Sequence, residues 1–129
     1  MDNVKIDENG QLKNGLEREY FKNGAISSEG EYSNGKKTGL WKYYLLNGLI
    51  KAIGYYENGK MTGLWKWYRE NGKLMVEGAF AEDEKKTGIW KRYHPNGNIH
   101  DEGLYKNDLK KDEWKTYNTE GILTKKKRH

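Results

Sequence analysis

Cysteine is absent from this 129-residue chain, which excludes a disulfide framework, a thiolate metal site and a cysteine nucleophile. Large apolar residues other than Trp and Tyr are scarce: Leu, Ile, Val and Phe make up only about 17% of the chain, a level at which composition alone favours disorder. No apolar run approaches the roughly 20 residues of a membrane-spanning helix. The opening Met1-Asp2-Asn3-Val4-Lys5 is mixed polar, not the basic and then apolar profile of a secretion signal, so the chain as written is expected in the cytoplasm. Positive charge is also scarcer than it looks. The formal net charge is +5, but Lys125, Lys126, Lys127 and Arg128 supply four of those charges. The remaining body is close to neutral, and nucleic acid is not an expected partner.

What the chain does have is aromatic and periodic. Five Trp and ten Tyr stand at regular positions, which a disordered chain does not show. Trp41, Trp65, Trp90 and Trp114 are 24, 25 and 24 residues apart. Tyr20, Tyr44, Tyr68, Tyr93 and Tyr117 keep the same beat, as do Gly24, Gly48, Gly72, Gly97 and Gly121. A second half-motif runs in phase, with Gly30, Gly54, Gly78 and Gly103 each two residues before Tyr32, Tyr56, Phe80 and Tyr105. A period of this length means one supersecondary unit stacked on copies of itself.

Each unit reads as two strands. The first, such as Leu40–Leu45, is aromatic-rich and β-prone. Asn47-Gly48 follows, a strong hairpin signal because both residues tolerate positive φ. The return strand, Ile50–Tyr56, leads to a second Asn-Gly pair at Asn58-Gly59. No segment carries a sustained 3.6-residue apolar period. The fold class is therefore all-β: an elongated single-layer antiparallel sheet of about five stacked 24-residue hairpin repeats. The units fall near residues 15–38, 39–62, 63–87, 88–111 and 112–124 of an array spanning 1–124, with 125–129 as a basic tail.

Strict alternation places Ile26, Ser28, Gly30 and Tyr32 on one face, with Ile50, Gly54 and Tyr56 and their later equivalents. The glycine gap leaves bare backbone for a neighbouring ring to cover. Trp41 and Tyr44 face opposite ways unless a bulge intervenes. The ends drift from the pattern: Glu17 replaces Trp in the first unit, and Asp112-Glu113 replaces Gly-Leu/Ile in the last. Ala81–Thr87 carries an insertion and should bulge outward.

Segments such as Glu29-Gly-Glu-Tyr-Ser-Asn-Gly-Lys-Lys-Thr-Gly-Leu-Trp-Lys-Tyr-Tyr resemble the bacterial variant of the MORN repeat (membrane occupation and recognition nexus) over roughly residues 15–124. The resemblance implies an extended sheet of consecutive hairpins without enzymatic activity. Some bacterial members of the family are described as antitoxin or immunity components that bind a toxin. Classical MORN arrays are associated with membranes and scaffolding. Lys60-Met61-Thr62-Gly63 is also similar to choline-binding wall repeats, but those place their Trp differently.

The expected function is non-catalytic binding of another protein, with a toxin as the most specific candidate. The alternative is a membrane- or surface-associated scaffold using the row Arg18, Lys42, Lys66, Lys91 and Lys115 together with the basic tail; Glu29, Glu77 and Glu102 on intervening strands could neutralise that row. Candidate partner-binding residues are Trp67, Tyr43, Trp65, Arg92 and Trp90. Trp67 stands out because its site varies between units, being Tyr43, Arg92 or Thr116 elsewhere. No cofactor or metal is expected: His94 and His100 lie near Asp101 and Glu102, but a site needs a third convergent group and a pocket. No P-loop, Gly-x-Ser-x-Gly or His-Glu-x-x-His pattern occurs. The oligomeric state is open.

Overall fold

The computed structural model describes residues 4–129. Its ten strands are β1 (Gly15–Tyr20), β2 (Ile26–Ser33), β3 (Lys36–Tyr44), β4 (Ile50–Glu57), β5 (Lys60–Tyr68), β6 (Leu74–Phe80), β7 (Lys86–Tyr93), β8 (Ile99–Lys106), β9 (Leu109–Tyr117) and β10 (Leu123–Arg128). They form one open sheet in sequence order, with each strand antiparallel to the next. The expected all-β single sheet of consecutive hairpins is what the chain builds.

Two kinds of turn alternate along it. Asn34-Gly35 and Asn58-Gly59 hold positive φ at both residues (50° and 80°, 51° and 78°), as a two-residue hairpin loop requires. Asn47-Gly48 does not fit that expectation, because only Gly48 is left-handed, at φ 88°. Here Gly48 N–H donates to the Leu45 carbonyl (2.9 Å) and Leu49 N–H to Asn47 Oδ1 (2.9 Å). Asparagine therefore acts through its side chain at this turn. The same bond from the backbone N–H two residues on recurs at Asn23, Asn71 and Asn96. The inserted loop holds a short 3-10 turn at Glu82–Glu84, with Asp83 and Glu84 at positive φ. It reaches back to the β4–β5 turn, where Met61 N–H donates to Glu84 Oε2 at 3.3 Å.

A bulge in each Trp-bearing strand sets the packing. Glu29 pairs with Lys42 but Glu31 with Thr38, so β3 fits two extra residues, around Gly39 and Leu40, opposite Gly30. Gly39 adopts φ 67° there, which glycine does without steric cost. The excess chain swings Trp41 back over Gly30, where any Cβ would fall inside the indole. Its Nε1 donates to the Glu31 carbonyl at 3.0 Å, supplying a donor where the ladder is interrupted. Trp65, Trp90 and Trp114 repeat the arrangement over Gly54, Gly78 and Gly103, with carbonyl partners on Tyr55, Ala79 and Leu104. All four indoles are buried, although the sheet is a single layer. Their other walls are neighbouring rings: Tyr32 and Tyr56 meet Trp41 edge-on, and Tyr56 meets Trp65 at a centroid separation of 5.1 Å.

Two expectations change and one holds. Ile50 does not share a face with Gly54 and Tyr56: a second register shift leaves Lys51 unpaired and sets Ile50 opposite Tyr44. The same shift occurs before Ser28, Val76 and Asp101, moving Ile26, Leu74 and Ile99 to the other face. Trp41 and Tyr44 do face opposite ways, since Trp41 and Tyr43 stack with each other and the Tyr44 hydroxyl reaches Glu29. Residues 125–128, read as a tail, continue β10 and pair with β9 through Lys125↔Thr116 to Arg128↔Glu113. The basic residues are thus a sheet edge.

Candidate functional site: an apolar patch on the charged face

The face opposite the indoles carries a row that crosses every strand. Cross-strand pairing orders it as Arg18, Glu29, Lys42, Ile53, Lys66, Glu77, Lys91, Glu102, Lys115 and Lys126. The lysines therefore alternate with carboxylates over most of the sheet. The motif tyrosines close onto the same carboxylates, with Tyr44 donating to Glu29 (2.6 Å), Tyr93 to Glu77 (2.9 Å) and Tyr117 to Glu102 (2.9 Å). Burial, followed by the carboxylate bond, pushes the Tyr44 and Tyr93 hydroxyls up to about 12. The Tyr44 bond, together with Arg18, holds Glu29 below its ordinary value.

Ile53 breaks this row. It occupies the position of Glu29, Glu77 and Glu102, so Tyr68 and Lys66 have no carboxylate there. Beside it runs a second row on the same face, formed by the pairs Leu40↔Tyr55, Leu64↔Ala79 and Ile89↔Leu104, with Leu16 at the edge. Leu40, Tyr55, Leu64 and Ile89 are 41%, 48%, 48% and 55% exposed. At the middle of the sheet these rows merge into a shallow groove of about 210 Å³ lined by Leu40, Ile53, Tyr55, Leu64, Lys66 and Tyr68. A contiguous apolar surface rimmed by polar groups has the form of a protein-contact site.

The residues singled out from the sequence lie on the other face and in one column. Trp65 and Trp90 are buried, at 1% and 6% exposure. Tyr43 stacks between Trp41 and Trp65 (6.1 and 6.4 Å), and Trp67 between Trp65 and Trp90 (5.9 Å each). Trp67 is thus half-buried and sandwiched between two indoles. Arg92 holds the equivalent position but turns to Asp101, donating from Nε at 2.9 Å. The site thus differs between units: Tyr43 and Trp67 reach the next indole with a ring, and Arg92 does not. His94 and His100 do approach, with ring centroids 4.5 Å apart, but His94 Nε2 is engaged at 2.8 Å with the Tyr117 carbonyl oxygen. Among the described residues no group of three or more His, Asp or Glu could hold a metal ion.

Leu40, Leu64 and Ile89 share the Gly-Leu/Ile-Trp motif with a buried indole, which masks them as a surface in the sequence. Ile53 in a register of glutamates was the available signal. That it joins Leu40 and Leu64 depends on the bulge, which decides where Leu40 points.

A family model described as the MORN repeat variant matches residues 13–34, 61–81 and 86–107, together just over half of the chain. No curated protein matches the chain. Among solved structures it is similar to a mutant of S. aureus TarM in complex with Fondaparinux, alpha-GlcNAc-glycerol and UDP, at 13% identity and TM-score 0.47, over 84% of this chain and 21% of that one. A second TarM structure matches at 15% identity and TM-score 0.45, over 82% and 21%. The chain spans about a fifth of the length of both.

Proposed function

We propose that this chain, which belongs to the MORN repeat variant family, is a non-catalytic protein-binding module that seats a partner on the apolar patch around Ile53. The observation that carries this reading is the replacement of a glutamate by Ile53 at the one place where Leu40, Tyr55 and Leu64 already lie exposed. A partner presenting an apolar knob would desolvate this centre, and the alternating Lys and Glu row around it would set register at little net energy. The most specific form of the reading is an antitoxin or immunity component whose partner is a toxin, which the family resemblance suggests. A scaffold on an acidic membrane would instead use the lysine row and β10. Alternation with Glu29, Glu77 and Glu102 weakens the row for that purpose, leaving the β10 edge.

Ile53→Glu tests the reading cleanly, because the repeat already accommodates glutamate there. Lys42 and Lys66 would flank the new carboxylate, and Tyr68 would donate to it as Tyr44 does to Glu29. Stability should be unchanged. Affinity for a partner, taken first as the product of any adjacent toxin gene, should fall at least thirtyfold, about 2 kcal/mol. Equal affinity of both proteins would reject the patch. Retention on anionic vesicles, lost at high salt and indifferent to Ile53→Glu, would favour the scaffold reading.

A further inference from the structure

On the aromatic face the ring column stops before the sheet does. Its order is Trp41, Tyr43, Trp65, Trp67, Trp90, with successive centroids 5.9–6.4 Å apart and planes inclined by 26–30°. Each ring two residues after a Trp fills the space before the next indole. After Trp90 that position is Arg92, whose guanidinium bonds Asp101 on the intervening strand β8. Between Trp90 and Trp114 the column therefore has no inserted ring. A cavity of about 390 Å³ opens there, walled by both indoles and Tyr105 above Val76.

The rim of this slot is cationic. Lys86 Nζ lies 5.0 Å from the centroids of both Trp90 and Tyr105, and Lys110 Nζ lies 4.6 Å from Trp114. Arg92 adds a third positive group, and Asp101, the one carboxylate in the lining, already accepts from it. The equivalent places in the filled units differ. Lys37 bonds the Tyr43 hydroxyl at 2.8 Å, so that cation serves the chain's own ring. Met61, uncharged, holds the corresponding place in the next unit, opposite Tyr56. Among the described residues, the slot after Trp90 alone combines a missing ring with two ammonium groups over its walls.

We propose that this slot binds an aromatic side chain flanked by carboxylates on a segment of a partner protein. The ring would complete the column between Trp90 and Trp114, and the flanking carboxylates would meet Lys86 and Lys110. A polynucleotide also offers planar rings and negative charge, but it needs a continuing track of cations. On this face the track from Lys110 to Lys86 is interrupted at the next unit, which places Met61 and Trp67 at the corresponding positions. The site is independent of the Ile53 patch, which lies on the opposite face.

The test is a titration of the full chain with an acetylated, amidated octapeptide, Gly-Asp-Glu-Tyr-Glu-Asp-Gly-Gly, followed by the indole N–H resonances. Saturable shifts confined to Trp90 and Trp114 are expected. Replacing the peptide's Tyr with Ala should weaken binding at least tenfold. Arg92→Trp supplies the missing ring from within and should weaken binding at least tenfold while melting no lower than the parent protein. Lys86→Gln with Lys110→Gln should weaken binding and flatten its salt dependence. Absence of shifts at millimolar peptide, equal affinity of the Arg92→Trp protein, or tighter binding of oligothymidylate than of the peptide would each overturn the proposal.

Discussion

Gly54→Ala adds one methyl group to a surface-length strand, yet it should be among the most damaging small substitutions in this chain. The new Cβ would fall inside the Trp65 indole, against Cδ2 and Cε2. To regain ordinary contact the ring must withdraw by about 1.5 Å, since carbon pairs settle near 3.5–4.0 Å. Trp65 is 1% exposed, lies 5.1 Å from Tyr56 and 5.9 Å from Trp67, and donates at 3.0 Å to the Tyr55 carbonyl. A withdrawn ring loses that bond, about 1 kcal/mol, and part of the 3–5 kcal/mol that a buried aromatic contributes. The expected destabilisation is about 3–4 kcal/mol, or roughly 10–15 °C in melting temperature for a chain of this length. Urea and thermal unfolding, followed by tryptophan fluorescence and far-UV circular dichroism, measure it. Gly48→Ala is the control: it is left-handed at φ 88° with nothing within 4 Å of a new Cβ, so it reports backbone strain alone, about 1–2 kcal/mol. If Gly54→Ala proves no worse than Gly48→Ala, the ring-over-glycine account is wrong. A Gly54→Ala, Trp65→Leu double variant should cost much less than the sum of its single changes. Because repeats contact only their neighbours, Gly103→Ala should instead loosen β9 and β10 while the preceding strands persist.

Trp67→Ala should destabilise the protein by about 2–4 kcal/mol, since its ring is sandwiched between Trp65 and Trp90; a melting curve matching the parent's would show that the column does not support the fold. Asp112 sits at φ 58°, where the other units have Gly39, Gly63 and Gly88. Asp112→Gly should therefore raise the urea midpoint by the equivalent of about 0.5–1 kcal/mol, and a lowered midpoint would refute the strain reading. The Tyr44 hydroxyl is raised to about 12, so the folded state keeps a proton that the unfolded chain loses near pH 10. Its contribution is present in full below that pH and is lost as pH rises towards 12. Tyr44→Phe should remove this part of the alkaline loss, as read from unfolding curves at stepped pH; unchanged alkaline behaviour would contradict it.

Much of this architecture was legible because β-repeats advertise themselves twice, in the spacing of bulky residues and in the turn residues between them. The 24-residue beat of Trp, Tyr and Asn-Gly specifies hairpins, their number and their order, since local strand and turn preferences need no distant partner. The glycine gap likewise announced a ring over bare backbone. What the pattern could not specify was which ring and from which side. Those depend on the bulge at Gly39 and Leu40, a register choice made only when β2 and β3 pair. That pairing turns Trp41 over Gly30, leaves Leu40 facing solvent on the opposite side, and brings it beside Tyr55 and Leu64. A second shift moved Ile50 across the sheet, because one unpaired residue reverses every side chain before it. The composition of each unit was set by the sequence alone, whereas its two surfaces, apolar patch on one and interrupted ring column on the other, were decided by strand register. Register is a property of neighbouring strands together, and it sums cross-strand contacts that no single strand carries by itself.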